Sequence, residues 1–313
     1  MACRPYRRQS VRLFDGHEDW IRAQVDVRGP IEIAHERSWA TVMRVPVASG
    51  CAWFKACAPV QAFEPHMTAR LFERWPDRVS EVLAYDDARA WMLLADAGIP
   101  MHDSGNRPEA WLAVLPSYAE LQRGETQHVA GHLAHDVPDL RVETLPARYE
   151  ELLRSELPLT ADEIGRLRNF ADRFAASCHE LAVHGIPNSV QHDDLHAWNV
   201  YRKDAQWRVL DWGDASISHP FMSLVVTFRF LEEANGLAPD DRWFGRLRDA
   251  YLEPWGPGLA EEFALAMRIG MLAHPLVELR NRDALPPDRR IGGDETMRIL
   301  RIWLQRALTQ VDG

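Results

Sequence analysis

The sequence predicts an α+β fold with a small sheet-rich N-terminal lobe, residues 1–96, and a larger, mainly helical C-terminal lobe, residues 97–313. Three observations carry this expectation. Extended runs rich in β-branched and aromatic residues, broken by turns, crowd the first hundred residues. Long amphipathic segments follow Gly98, and only a short connector, Ala95 to Gly98, separates the two patterns.

In the N-terminal part, "IEIAHERSWATVMRVPV", "CAWFKACA" and "AWMLLADAG" read as strands, with Ser49-Gly50 turning the chain between the first two. Between them "EPHMTARLFERW" reads as a helix with Pro65 at its first position, where the missing N–H costs nothing, and Pro76 just past its end. Beyond Gly98, Pro116 is expected to kink or break the helical pattern "PEAWLAVLPSYAELQ". The clearest helix opens with a capping box, Thr160 and Glu163. It carries Ile164, Leu167, Ala171, Phe174, Cys178 and Leu181 on one face until Gly185 and Pro187 stop it. Further helices are expected from Pro220 to Ala234, around Trp243 to Leu252, from Leu259 to Val277 and from Glu295 to Val311.

The 313 residues, 46% hydrophobic and 26% charged, describe an ordinary globular protein. A net charge of -10 argues against a nucleic-acid partner, because a phosphate backbone is held by clustered Lys and Arg, and is compatible with a cationic small molecule. Arg4, Arg7, Arg8 and Arg12 read as a frayed, solvated tail. Cys3, Cys51, Cys57 and Cys178 form no CxxC pair and no disulfide framework. With no apolar span and no secretory segment, the expected location is the cytoplasm and no membrane partner is expected.

The chemistry concentrates in "SVQHDDLHAWNVYRKDAQWRVLDWGDAS". "VYR" and "WRVLDW" flank the polar turn "KDAQ" and read as a β-hairpin. Residues equally far from such a turn face each other at about 5 Å, so Asn199 and Asp211 are expected to meet at the open end. An amide and a carboxylate give hard oxygen ligation, which suits Mg²⁺. Asp194, on the loop entering the hairpin, is the candidate base, its main work being to orient a hydroxyl.

"HDDLHAWN" followed by "VLDWGDA" resembles the catalytic and metal loops of the aminoglycoside phosphotransferase and choline kinase group, which shares the protein-kinase-like fold. The resemblance implies that Asp194 is the catalytic aspartate, that Asn199 and Asp211 bind Mg²⁺, and that His192 and His196 support the loop by hydrogen bonds. It implies Lys55, in "WFKA", as the lysine that contacts the phosphates of ATP or GTP, and the backbone of Leu94 to Asp96 as the nucleobase edge. Helical phase at 100° per residue makes Glu64, not Glu73, the partner of Lys55. No G-x-G-x-x-G loop is present, so Ser38 and Thr41 with nearby backbone N–H groups are expected to cover the phosphates. No A-P-E triplet follows, which disfavours a protein acceptor.

The implied reaction is phosphate transfer to a hydroxyl of a small molecule, such as an aminoglycoside or other antibiotic. Glu232, Glu233, Asp240 and Asp241 are candidates to attract a cationic acceptor. Two other readings stand beside it: a metal-dependent phosphohydrolase using His192 and Asp193, and a nucleotide-binding pseudokinase lacking the glycine loop. His128, His132 and His135 share a helical face, but Val129 stands where zincin chemistry wants Glu, so they read as a solvent-facing patch. Trp198 and Trp212 flank the inferred metal site and are the tryptophans expected to shape a pocket.

Overall fold

The computed structural model describes residues 16–283 and 295–311, so the N-terminal arginines and Cys3 lie outside the described residues. The chain divides into two compact units, Met1–Ala97 and Gly98–Gly313.

The first unit is built on an antiparallel sheet of five strands, β1 (Glu32–Glu36), β2 (Ala40–Val47), β3 (Gly50–Cys57), β4 (Val82–Asp86) and β5 (Trp91–Ala95), in the order β1-β2-β3-β5-β4. Alternation along β3 sends Ala52, Phe54 and Ala56 to one face, where they join Met43, Val45, Trp91 and Leu93. Against that face lies a helix the sequence did not announce, α1 (His17–Gln24), which contributes Trp20 and the fully buried Ile21. Trp20, Phe54 and Trp91 pack ring to ring at 5.6–5.8 Å. Burial of each such large apolar side chain stabilises the unit by roughly 1.5–3 kcal/mol. The opposite parity of β3 carries Trp53 and Lys55, and α2 (Glu64–Arg74) supplies the partner of that lysine.

The second unit opens at Gly98, whose φ of +92° and 2.3 Å approach of a virtual Cβ to the Arg202 carbonyl leave no room for any side chain. This tight passage lets β6 (Ile99–Pro100) pair with β8 (Val200–Lys203), which in turn pairs with β9 (Gln206–Val209). The hairpin strands run closer to the turn than "KDAQ" implied. Only Asp204 and Ala205 remain between them, both at positive φ (50° and 65°), the conformation of a tight two-residue hairpin turn.

Helices build the rest of this unit. α3 (Pro108–Glu125) runs through Pro116 without a break, contrary to the sequence expectation. Trp111, Leu115, Tyr118 and Leu121, all buried, hold both halves in place, which offsets the roughly 3 kcal/mol cost of an interior proline. α4 (Val129–Leu133) and α5 (Leu145–Arg154) follow. The capped helix is two helices, α6 (Ala161–Asn169) and α7 (Ala171–Val183), not one. Its capping box is present as read, with Glu163 N donating to Thr160 Oγ1 and Thr160 N donating to Glu163 Oε2. The interruption sits where the Leu167 carbonyl accepts from both the Tyr149 hydroxyl and the Phe170 N–H, which tightens that turn.

β7 (Ser189–Gln191) pairs with β10 (Ser216–Ser218), so the loop that follows Gln191 and the turn that precedes Ser216 spring from one small ribbon. α8 (Leu224–Asn235) and α9 (Arg242–Leu252) come next. The single helix expected over 259–277 is α10 (Ala260–Ala273) and α11 (Pro275–Asp283), divided at Pro275, which has no N–H to continue the first. α12 (Glu295–Val311) closes the described chain. Among the described residues no helix is long and apolar enough to cross a membrane.

Candidate active site

The loop between β7 and β8 holds Asp194 and Asn199. Asn199 Nδ2 donates to the Asp194 backbone carbonyl at 2.9 Å and to Asp194 Oδ2 at 3.0 Å. Both amide protons are thereby spent on the aspartate, and the amide oxygen is the atom left to act as a ligand. Asp211 follows β9 in a left-handed conformation, φ 63°, ψ 66°.

The hairpin register corrects one expectation. Val200 pairs with Val209, and Leu210 N–H donates to the Asn199 carbonyl at 2.9 Å, so Asn199 faces Leu210 and Asp211 is one residue further along. The left-handed turn at Asp211 then redirects the chain into the 3₁₀ turn Trp212–Asp214.

Two histidines fix this loop. His192 is fully buried; its Nδ1 accepts the Asp194 N–H at 3.2 Å and its Nε2 lies 2.7 Å from the Leu210 carbonyl. That pattern puts the ring proton on Nε2, and burial holds the ring neutral by lowering its pKa. His192 therefore ties the loop of Asp194 to the residue preceding Asp211. His196 Nδ1 accepts the Trp198 N–H at 3.2 Å, and its Nε2 lies 3.2 Å from Asp194 Oδ2. Burial pulls the His196 pKa down, but the charge and hydrogen bond of Asp194 together with the charges of Asp211 and Asp214 outweigh it, and the net shift is upward. The reciprocal holds for Asp194. Burial pushes its carboxyl up, and the neighbouring His196 and His192 together bring it below the ordinary value, so it stands ionised.

Beneath lies a layer of buried polar groups, of which the sequence reading singled out only the aspartates. Asp193, at φ 62°, accepts from Gln191 Nε2 and from Ser216 Oγ, and burial raises its pKa. The Tyr118 hydroxyl accepts the His192 N–H at 3.0 Å, and Gln122 Nε2 donates to the Val190 carbonyl at 2.7 Å. Arg280 donates to the carbonyls of Gly213 and Ala215, both at 3.3 Å, while Asn281 Nδ2 donates to Asp214 Oδ1 at 2.9 Å. Burial, and then the charge of Asp194, pushes the Asp214 carboxyl up to about 7. Single polar residues on distant helices leave no spacing signal, which is why only the contacts reveal them.

In the first unit Lys55 Nζ lies 2.8 and 2.7 Å from the two Glu64 carboxylate oxygens, with both side chains buried. Cys57 Sγ donates to the same carboxylate at 3.3 Å. Leu94, half-buried on β5, is opposite Trp53, and exposed Asp96 lies just beyond the strand. Ser38 sits in the turn between β1 and β2. Thr41 does not join it: Thr41 pairs with Ala56 and Val42 with Lys55, so Thr41 points to the face away from the lysine and is buried there.

Three further expectations are corrected. His132 is buried and bonded to Glu125 at 2.8 Å, so the three histidines are no solvent-facing patch. Glu232 pairs with Arg306 at 3.1 Å, Glu233 with Arg229 at 2.8 Å, and Asp241 caps α9 by accepting the Trp243 N–H at 2.9 Å. Those acids already serve the protein. Finally, both ring nitrogens of His192 are bonded to backbone groups, which removes it as a metal ligand, and among the described residues no three His, Cys, Asp or Glu side chains cluster to hold a metal ion.

The model of the "Phosphotransferase enzyme family" matches residues 53–263. No curated protein sequence matches the chain. Among solved structures, a choline/ethanolamine kinase family protein from Mesorhizobium loti superposes with a TM-score of 0.60 at 18% identity, covering 94% of this chain and 98% of that one. A choline kinase from Streptococcus pneumoniae gives 0.66 at 11% identity, with 96% and 99% covered. An amicoumacin kinase in complex with AMP-PNP, Ca²⁺ and Ami gives 0.63 at 10% identity, with 97% and 96% covered. The α+β, protein-kinase-like fold expected from the sequence is the fold found.

Proposed function

Because this chain belongs to the phosphotransferase enzyme family and is a phosphotransferase acting on hydroxyl groups, we propose that it moves the terminal phosphoryl group of ATP or GTP to a hydroxyl of a small molecule. Residues 1–96 bind nucleotide in this reading and residues 97–313 carry the catalytic groups and the acceptor. The similar amicoumacin kinase was solved with a nucleotide analogue and Ca²⁺, which supports nucleotide and divalent-metal use.

One observation carries the reading: Asp194 takes both amide protons of Asn199, so a single loop brings an ionised carboxylate and an amide oxygen together. Asn199 and Asp211 supply hard oxygen donors of the kind Mg²⁺ takes. When bound, Mg²⁺ neutralises charge on the phosphates. Asp194 orients the acceptor hydroxyl for in-line attack and receives its proton late in transfer. Lys55, held by Glu64, reaches the donor phosphates, and the backbone of Leu94 to Asp96 takes the base. With Thr41 turned away, Ser38 and the backbone N–H groups of its turn are left to cover the phosphates. The location proposed is the cytoplasm.

The pairing of Glu232 and Glu233 with arginines weakens the case for a polycationic acceptor such as an aminoglycoside. The test of the reaction itself is Asp194→Ala. Mg²⁺-dependent ADP or GDP release with an acceptor should fall at least 10²-fold, by the usual worth of a positioned base, while nucleotide affinity stays within about twofold. Turnover retained in the variant contradicts the assignment.

A further inference from the structure

Among the described residues, the exposed large hydrophobics are Ile33, Leu83, Ile99, Val183 and Trp198, and Trp198 is the one aromatic among them. It stands 50% exposed in the same loop as Asp194, immediately before Asn199. Its position is firmly held. Its own N–H donates to His196 Nδ1 at 3.2 Å, the next N–H donates to the His196 carbonyl at 2.9 Å, and the preceding carbonyl, of Ala197, accepts from His102 N–H at 3.0 Å. The exposed His102 ring, carried in just after β6, stacks on Trp198 with centroids 3.5 Å apart and planes 16° from parallel.

A large aromatic left half in water has no folding role that explains its exposure, and the His102 stack removes the rotamer freedom that a ligand would otherwise have to quench. The neighbouring surface is aromatic as well. Thr227 on α8 bonds the Leu195 carbonyl at 2.7 Å, and one turn on, Phe230 packs its ring 4.5 Å from that of His196. The acids that follow on α8, Glu232 and Glu233, are paired with Arg306 and Arg229. Flat aromatic surface, with the nearby acids of α8 already paired to arginines, fits a flat ring better than a polycation.

We infer that Trp198, backed by His102, is an acceptor-specificity platform that stacks a flat apolar or aromatic ring of a neutral hydroxylated substrate beside Asp194. This rests on the phosphotransfer reading above. His102 is here a positioning residue, acting through the tryptophan.

The test measures nucleotide-dependent release of ADP or GDP by the full chain with Mg²⁺ against two acceptor arms. One holds neutral aryl glycosides and polyhydroxylated aromatic compounds; the other holds aminoglycosides, choline and ethanolamine. The expected result is higher kcat/KM in the neutral arm, with Trp198→Ala raising acceptor KM roughly tenfold and leaving the nucleotide KM within about twofold. Trp198→Phe should recover most of that loss and His102→Ala should give an intermediate rise; thermal unfolding of each variant reports its fold. Preference for the cationic arm, no turnover in the neutral arm, or an acceptor KM unmoved in Trp198→Ala overturns the inference. Asp194→Ala separates the two levels: if it abolishes turnover while Trp198→Ala leaves KM unmoved, the platform alone falls.

Discussion

Asp214 shows how much a single residue under the site contributes to the protein's response to pH. Its carboxyl, pushed up to about 7 by burial and then by Asp194, keeps its proton in the native state well above the ordinary value of 3.8. Between about pH 4 and 7 the native state therefore binds more protons than the unfolded chain, and stability from this group falls as pH rises through that window. Asp214→Asn retains an oxygen for Asn281 and cannot ionise. Between pH 4 and pH 8, in chelator, the wild type should lose on the order of 4 kcal/mol more than the variant, read from urea unfolding. Parallel curves for the two proteins would show that Asp214 is not held protonated. At this scale the sequence disclosed the residues with a fixed spacing, Asp194 and Asn199, because both lie in one short loop. It did not disclose Arg280, Asn281, Tyr118 or Gln122, whose contacts span up to 129 residues.

The pairing of β3 with α2 is the sharpest test among the elements. Lys55 and Glu64 are both buried, so removing one partner leaves the other charged in a dry place, at a cost of about 3–5 kcal/mol. Lys55→Met alone should lower stability by that amount in chemical denaturation. Lys55→Met combined with Glu64→Leu should recover most of it, yet neither variant should bind nucleotide normally. Equal destabilisation in single and double variants would show that the pair is not coupled. This contact was legible because the helical period fixes which of Glu64 and Glu73 turns toward the lysine. The tight Asp204-Ala205 turn was not, because Ala205 is a poor signal for a left-handed position; the register itself is the one that equal spacing from "KDAQ" gives, with Asn199 opposite Leu210 and Asp211 one residue beyond. Likewise α1 is short and lacks a side-chain cap, and the break between α6 and α7 depends on the distant Tyr149 hydroxyl.

For the whole molecule, the order of elements and the change from sheet to helix near Ala97 followed from pattern alone, since both periods are written in the hydrophobic residues. The facing of Thr41 did not, because strand parity flips with a shift of one residue. In the proposed reaction Asn199 and Asp211 hold a divalent ion brought with the nucleotide while Asp194 serves the acceptor. Mn²⁺ electron paramagnetic resonance with AMP-PNP, on the wild type and on Asn199→Ala, Asp211→Ala and Asp194→Ala, tests this most directly. Mn²⁺ affinity should fall at least tenfold in Asn199→Ala and Asp211→Ala, and less than that in Asp194→Ala. Wild-type Mn²⁺ binding in Asp211→Ala would contradict it.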